Sequence, residues 1–212
     1  PTTTRSGRRR AQSAMSSGTV AAASAATAQR GACGGAARVP ALPGATVTSL
    51  MPSIADNTDS AGLPTQQGST AFTAIPAKAD SDFAKQFLST GAISIGKTRL
   101  PEFGFSASTE YMTEEPVHNP WNPAYSSGAS SGGAAALVAA GVLPIAHAND
   151  GGGSIRIPAA ACGLVGLKPT RGRTIADPAD KSMPIRLIAQ GAVTRTVRDT
   201  ARWMSAAENY YR

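Results

Sequence analysis

Two glycine-rich segments bracket a short helix–strand unit between Ser126 and Pro158, and no other feature limits the fold of this 212-residue chain as strongly. The first is Ser126-Ser127-Gly128-Ala129-Ser130-Ser131-Gly132-Gly133, and the second is Asn149-Asp150-Gly151-Gly152-Gly153-Ser154-Ile155-Arg156-Ile157-Pro158. Between them, Ala134 to Ala140 reads as a small-residue helix stopped by Gly141, and Val142 to Ala146 as a buried strand. Side chains this small permit close backbone packing, and Ala, Gly and Pro fill 78 of the 212 positions.

Flanking patterns extend the alternation. Phe83, Phe87 and Leu88 share one side of a predicted helix that Asp80 or Ser81 can cap and Gly91 ends. Ala92 to Ile95 is a strand candidate. Near the end, Val197, Ala201, Met204 and Tyr211 fall along one stripe of a predicted helix, with Trp203 beside them. Helices alternating with short apolar strands predict an α/β fold, a sheet with helices on both faces. The longest apolar stretch, Ala134 to Ala148, contains Gly141, Pro144 and His147 and falls short of the ~20 residues a membrane helix needs. No membrane association is therefore expected, and a cytoplasmic location is.

The net charge of +7 suggests a nucleic-acid partner, but its distribution argues against one. Arg5, Arg8, Arg9, Arg10, Arg30 and Arg38 are the only charged side chains before Asp56, which leaves +1 for the rest. A nucleic-acid surface places its cations on a folded face with aromatics nearby; here they sit on a low-complexity run without acids or aromatics. Residues 1–55 are therefore set apart from residues 56–212 as a low-complexity N-terminal segment, disordered or aberrant, with a transit peptide as the other reading. Two cysteines, Cys33 and Cys162, exclude a disulfide scaffold, and with only His118 and His147 beside them no metal site is expected.

Both glycine-rich segments place serine beside glycine in a loop, where backbone N–H groups are free to face an anion. Three readings stay open on spacing alone. A phosphate site is one, although no Walker or dinucleotide-binding pattern is present. Acyl transfer is another, with a loop serine as nucleophile and neighbouring amides as oxyanion hole. The third is a pair of tight turns with solvated serines. Cys162 reads as a buried apolar residue, His118 and His147 as solvated or core histidines, and Lys168 as structural.

The run from Gly128 to Gly141, followed by Ala148 to Arg173, resembles the amidase signature family. The similarity reaches back through Asn119-Pro120-Trp121-Asn122-Pro123, Gly96 to Phe103 and Asp56 to Pro64, and forward to about Arg212. What it implies is the amidase signature fold, here an incomplete N-terminal half, and hydrolysis of a carboxylic amide without histidine or cofactor. In that family a serine nucleophile, a bridging serine held by a cis peptide and a lysine form the catalytic set. Ser154 falls at the nucleophile's place and Ser130 at that of the bridging serine. The amides of Gly151, Gly152 and Gly153 would face the oxyanion, and Ser131, Asp150 and Arg156 would support the loops. The partner implied is a small-molecule amide, with a homodimer possible.

Two departures stand against activity. The family's lysine precedes an Asp-Asn pair, and the residue before Asp56-Asn57 here is Ala55. Alanine accepts no proton; Lys78, Lys85 and Lys97 are the nearest alternatives, and Lys97 belongs to a separate motif. The chain is also shorter than the family's usual length. The expectation is an impaired amidase copy; the alternatives are a non-catalytic fragment and an amidotransferase A-type subunit.

Overall fold

The computed structural model describes residues 53–211, so the segment up to Pro52, including Cys33 and the arginine-rich run, lies outside the described residues. Strand β1 is Ile54–Ala55 and β2 is Lys97–Thr98; they pair in parallel. A second sheet has the order β3 (Ile145–Asp150), β5 (Ala189–Thr194), β4 (Val165–Leu167), with both pairings antiparallel. The His147 amide donates to the Ser53 carbonyl at 3.0 Å, which lays β1 alongside β3.

Side-chain alternation along β3 and β5 separates two cores. Ala146, Ala148 and Val193 point to one face, where they meet Ala134, Leu137 and Val138 of α2 (Gly132–Ala139) and Ala159 of α3 (Arg156–Ala161). Ile145 and Ala192 point to the other, against Phe83 and Phe87 of α1 (Asp82–Ser89) and Trp203, Met204 and Ala207 of α5 (Val197–Glu208). Helices thus cover both faces of a mixed arrangement, as the residue pattern predicts. A short helix, α4 (Pro178–Ser182), leads towards β5, and its cap residue Asp177 accepts from the Phe83 amide at 3.1 Å.

Several elements differ from their predicted limits. Ser81 caps α1 through its side chain and Gly91 follows with φ +86°, both as predicted. Ala92 to Ile95 forms no strand; Ile93 and Ile95 are exposed, and pairing begins at Lys97, where a partner strand exists. The strand after α2 starts at Ile145 rather than Val142, because Gly141 (φ +77°) and Pro144 occupy the connection. On α5 the buried stripe is Thr200, Trp203, Met204 and Ala207, while Val197 and Ala201 face solvent. The aromatic ring fixes the rotation of that helix: Trp203 packs 5.8 Å from Phe87, ring to ring.

His147 is fully buried between Phe83 and Phe87, at ring separations of 4.6 and 6.0 Å. Its Nδ1 accepts the Ala55 amide at 3.1 Å, so the proton sits on Nε2, which donates to Gln190 Oε1 at 2.8 Å. Burial lowers its pKa from 6.5 to about 4. A lowered histidine pKa supplies stability that is complete above 6.5 and lost as pH falls towards 4. Between pH 7 and pH 5 this loss should reach up to ~2 kcal/mol, at ~1.4 kcal/mol per pH unit below the unfolded value. Urea unfolding at the two pH values should show that loss in the native chain and a flatter response in His147→Gln; equal pH responses would refute it.

Candidate active site

The Ser126–Gly133 loop is held from three sides. Thr109 Oγ1 donates to the Gly128 carbonyl at 2.8 Å, the Ser127 hydroxyl to the Val117 carbonyl at 3.0 Å, and the Gly133 amide to the Arg99 carbonyl at 3.1 Å. Two glycines are set by close approach: a Cβ on Gly132 would stand 2.2 Å from Thr109 Oγ1, and one on Gly133 would stand 2.5 Å from the Arg99 carbonyl oxygen. Ser130 is buried, and the Ala129–Ser130 peptide is cis, the form the resemblance implies for that place. Ser131 begins α2, and its amide donates to the Ser154 carbonyl at 3.2 Å. That bond joins the two glycine-rich loops directly, through the Ser131 backbone.

The second loop is organised around the Asp150 carboxylate, whose side chain is completely buried at the end of β3. Oδ1 accepts the Gly153 amide at 2.8 Å and Oδ2 the Ile155 amide at 3.2 Å. Arg156 adds a two-pronged bond, Nε to Oδ2 at 2.8 Å and NH2 to Oδ1 at 2.9 Å. Burial alone would raise the Asp150 pKa; the bonds from Arg156, Ile155 and Gly153 outweigh it and hold the carboxyl below its usual value. Because the Gly153 amide is turned to Asp150, it does not face an incoming oxygen. The Gly151 and Gly152 amides carry no such bond to Asp150, and Ser154 beside them is half-buried.

Ala55 lies buried in β1, opposite Thr98. Lys97 cannot stand in for it where it lies: its ammonium donates to the Thr58 carbonyl at 2.7 Å and Thr65 Oγ1 at 2.8 Å, and it stands 3.9 Å from Asp56. Burial lowers its pKa. Lys78 is exposed, and so is Lys85, which pairs with Asp82.

His118 is half-buried, its Nδ1 2.7 Å from the Pro123 carbonyl oxygen, and His147 belongs to the core. Cys162 is buried, its thiol pushed up to about 11 by desolvation, and its Sγ lies 3.5 Å from the Ser127 carbonyl. Among the described residues no group of three His, Cys, Asp or Glu is placed to hold a metal, and no helix is long and apolar enough to cross a membrane. A cleft of about 370 Å³ exists elsewhere, between Leu167, Pro169, Arg173, Met204 and Glu208, and none of its lining residues belongs to either glycine-rich loop.

The residues that residue patterns alone did not point to are Thr109 and the Phe103–Gly104 turn. A Cβ on Gly104 would stand 3.4 Å from Ser130 Oγ, a contact across 26 positions of sequence with no local signature.

Paired serine–glycine loops on a mixed sheet with helices on both faces define an amidase signature fold, the fold of solved structures similar to this chain. The chain belongs to the amidase family, whose model, described as Amidase, matches residues 9–212. It is 56% identical over 159 residues to "Putative amidase AmiC" of Mycobacterium bovis, covering 75% of this chain and 34% of that protein. Among solved structures, the A-type subunit of glutamyl-tRNA(Gln) amidotransferase from Thermotoga maritima is 36% identical, with TM-score 0.68, over 74% of this chain and 34% of that one. A bacterial aryl acylamidase is 34% identical, with TM-score 0.63, over 74% and 32%. The chain thus spans about a third of the length of these relatives.

The Asp150 hub gives a differential expectation. Asp150→Ala leaves the Gly153 and Ile155 amides without their acceptor and should cost ~2–4 kcal/mol in urea unfolding. Arg156→Ala removes a half-exposed partner and leaves the carboxylate its amide donors, so it should cost measurably less. Similar losses in both variants would mean that the ion pair, and not the amide cage, holds the loop.

Proposed function

We propose that the protein carries the nucleophile side of an amide-hydrolysing site, with Ser154 as nucleophile and Ser130 as the first proton acceptor. The observation that carries this reading is the Ser131–Ser154 backbone bond at 3.2 Å, which holds the two serine loops together. Ser154 Oγ would attack the carbonyl carbon of a small-molecule amide, and its proton would pass to the Ser130 hydroxyl. The Gly151 and Gly152 amides would face the developing oxyanion. The C–N bond then breaks, the leaving ammonia or amine takes a proton, and water hydrolyses the acyl-serine to the acid.

A bridging serine relays a proton only if a further base takes its own. With Ala55 at the family lysine's place the relay ends at Ser130, and turnover is impaired accordingly. Placement in the cytoplasm belongs to the same reading. The likeness to an A-type amidotransferase component supports a second reading, in which glutamine is the amide and turnover depends on a partner protein.

A fluorophosphonate serine probe tests the first reading. It should label the native chain slowly and leave Ser154→Ala unlabelled. Ala55→Lys, with native circular dichroism, should label ~10²-fold faster, the low end of what a positioned base contributes. An unlabelled native chain would favour a non-catalytic fragment, and hydrolysis of glutamine only with a partner protein would favour the amidotransferase reading.

A further inference from the structure

One completely buried side chain, Thr109, meets the Ser126–Gly133 loop at two points, one on each side of Ser130. Its Oγ1 donates to the Gly128 carbonyl, 19 positions away in sequence, at 2.8 Å. The same oxygen fills the space beside Gly132, where a Cβ would stand 2.2 Å from it and 2.9 Å from Thr109 Cβ. The stretch from Gly128 to Gly132 is therefore gripped at both ends by a single residue, and Ser130 lies at its centre.

Thr109 is itself braced. Its carbonyl accepts the Val117 amide at 2.8 Å, and the Val117 carbonyl accepts the Ser127 amide at 3.3 Å and the Ser127 hydroxyl at 3.0 Å. Arg99 fastens the residues in between: its guanidinium bonds the Glu115 carbonyl at 3.0 Å, pairs with Glu114 and lies 4.0 Å over the Tyr111 ring. A threonine hydroxyl has one proton to donate, and here it is committed to Gly128. Proton transfer from Ser154 to Ser130 needs the two oxygens within hydrogen-bond reach, and a displacement of ~1 Å can cost ~10²-fold.

We infer that Thr109 is a positioning residue for Ser130: by bonding Gly128 and abutting Gly132 it sets where the Ser130 hydroxyl stands to receive the Ser154 proton. This rests on Ser154 being the nucleophile, and it adds to that reading a residue that acts through the backbone of the loop.

Fluorophosphonate labelling of Ser154 resolves into a half-saturating reagent concentration and a maximal rate. Thr109→Val keeps the shape and loses the donor; it should lower the maximal rate at least ~10-fold and leave the half-saturating concentration within ~2-fold. Thr109→Ser keeps the donor and should react within ~3-fold of the native rate. A purely structural role would reduce the amount of protein labelled, not the rate at which the folded fraction reacts. Thr109→Ala, which removes the donor but leaves the space around the carbonyl open, gives the same reading where the valine variant does not fold. A native rate without the hydroxyl, or a serine variant as slow as the valine one, would overturn the inference while leaving the nucleophile in place.

Amide hydrogen exchange read by NMR needs no reaction and separates the two layers. The Ser131 amide, bonded to the Ser154 carbonyl at 3.2 Å, should exchange ~10-fold faster in the valine variant, while the Val193 amide in β5 keeps its native rate. That result in a chain that does not label would remove the nucleophile and keep Thr109 as the anchor of the Ser130 loop. Equal Ser131 exchange in the native and variant chains would overturn the inference.

Discussion

The buried carboxylate of Asp150 is the constraint on which the rest of the site depends. A carboxylate removed from water is costly unless its oxygens are filled by donors. Here the donors are amides of the loop that follows, together with one guanidinium. Satisfying the charge and folding the loop are therefore one event: residues 151–156 must curl around the end of β3. That curl lifts Ser154 beside the Ser126–Gly133 loop and leaves Gly151 and Gly152 outside the cage. An internal anion thus occupies the amides that a ligand could otherwise have claimed, which separates the structural half of the loop from the half that faces outward.

Strand β3 distributes function along its length in the same way. Its alternate residues feed two different cores, and its histidine reaches sideways to the Ala55 amide. The ring is neutral because burial makes the charged form expensive, and neutrality is what allows Nδ1 to accept. Gln190 passes the connection to Asp180 at the start of α4, where its amide donates to Oδ2 at 2.6 Å. Position 55 is consequently fixed by a hydrogen-bonded line that crosses the sheet, although the side chain at that position is only a methyl group.

Most of the architecture was legible where periodicity and punctuation agreed. Ser81 and Gly91 bounded α1, and Gly141 ended α2, because caps and left-handed glycines act over one turn of chain. The serine and glycine loops stood out for the same reason. What was not legible depended on partners far away. Ile93 and Ile95 looked like a strand, but a strand exists only where another strand supplies hydrogen bonds, and β1 meets the chain two residues later. The buried stripe of α5 was displaced from the one read off its apolar residues, because Trp203 outweighs Val197 and Ala201 in buried area. Nothing local marks Gly132 and Gly133 as points of close approach; their distant neighbours Thr109 and Arg99 make them so. The direction of the Gly153 amide was equally invisible, since nothing in a glycine triplet says which N–H its aspartate will capture.

The tie between Ala55 and His147 spans 92 positions, and closing a loop that long costs about 4 kcal/mol in chain entropy by the logarithmic scaling, before any constant. One amide-to-imidazole bond does not repay that alone. The β3–β5–β4 assembly, by contrast, is built from antiparallel neighbours within residues 145–194 and closes with far shorter loops. Strand β1 shares that cost between two partners, its parallel pairing with β2 and the Ser53–His147 and Ala55–His147 bonds to β3. Whatever residue occupies position 55 is therefore anchored through its backbone by two strands at once, independently of what its side chain can do.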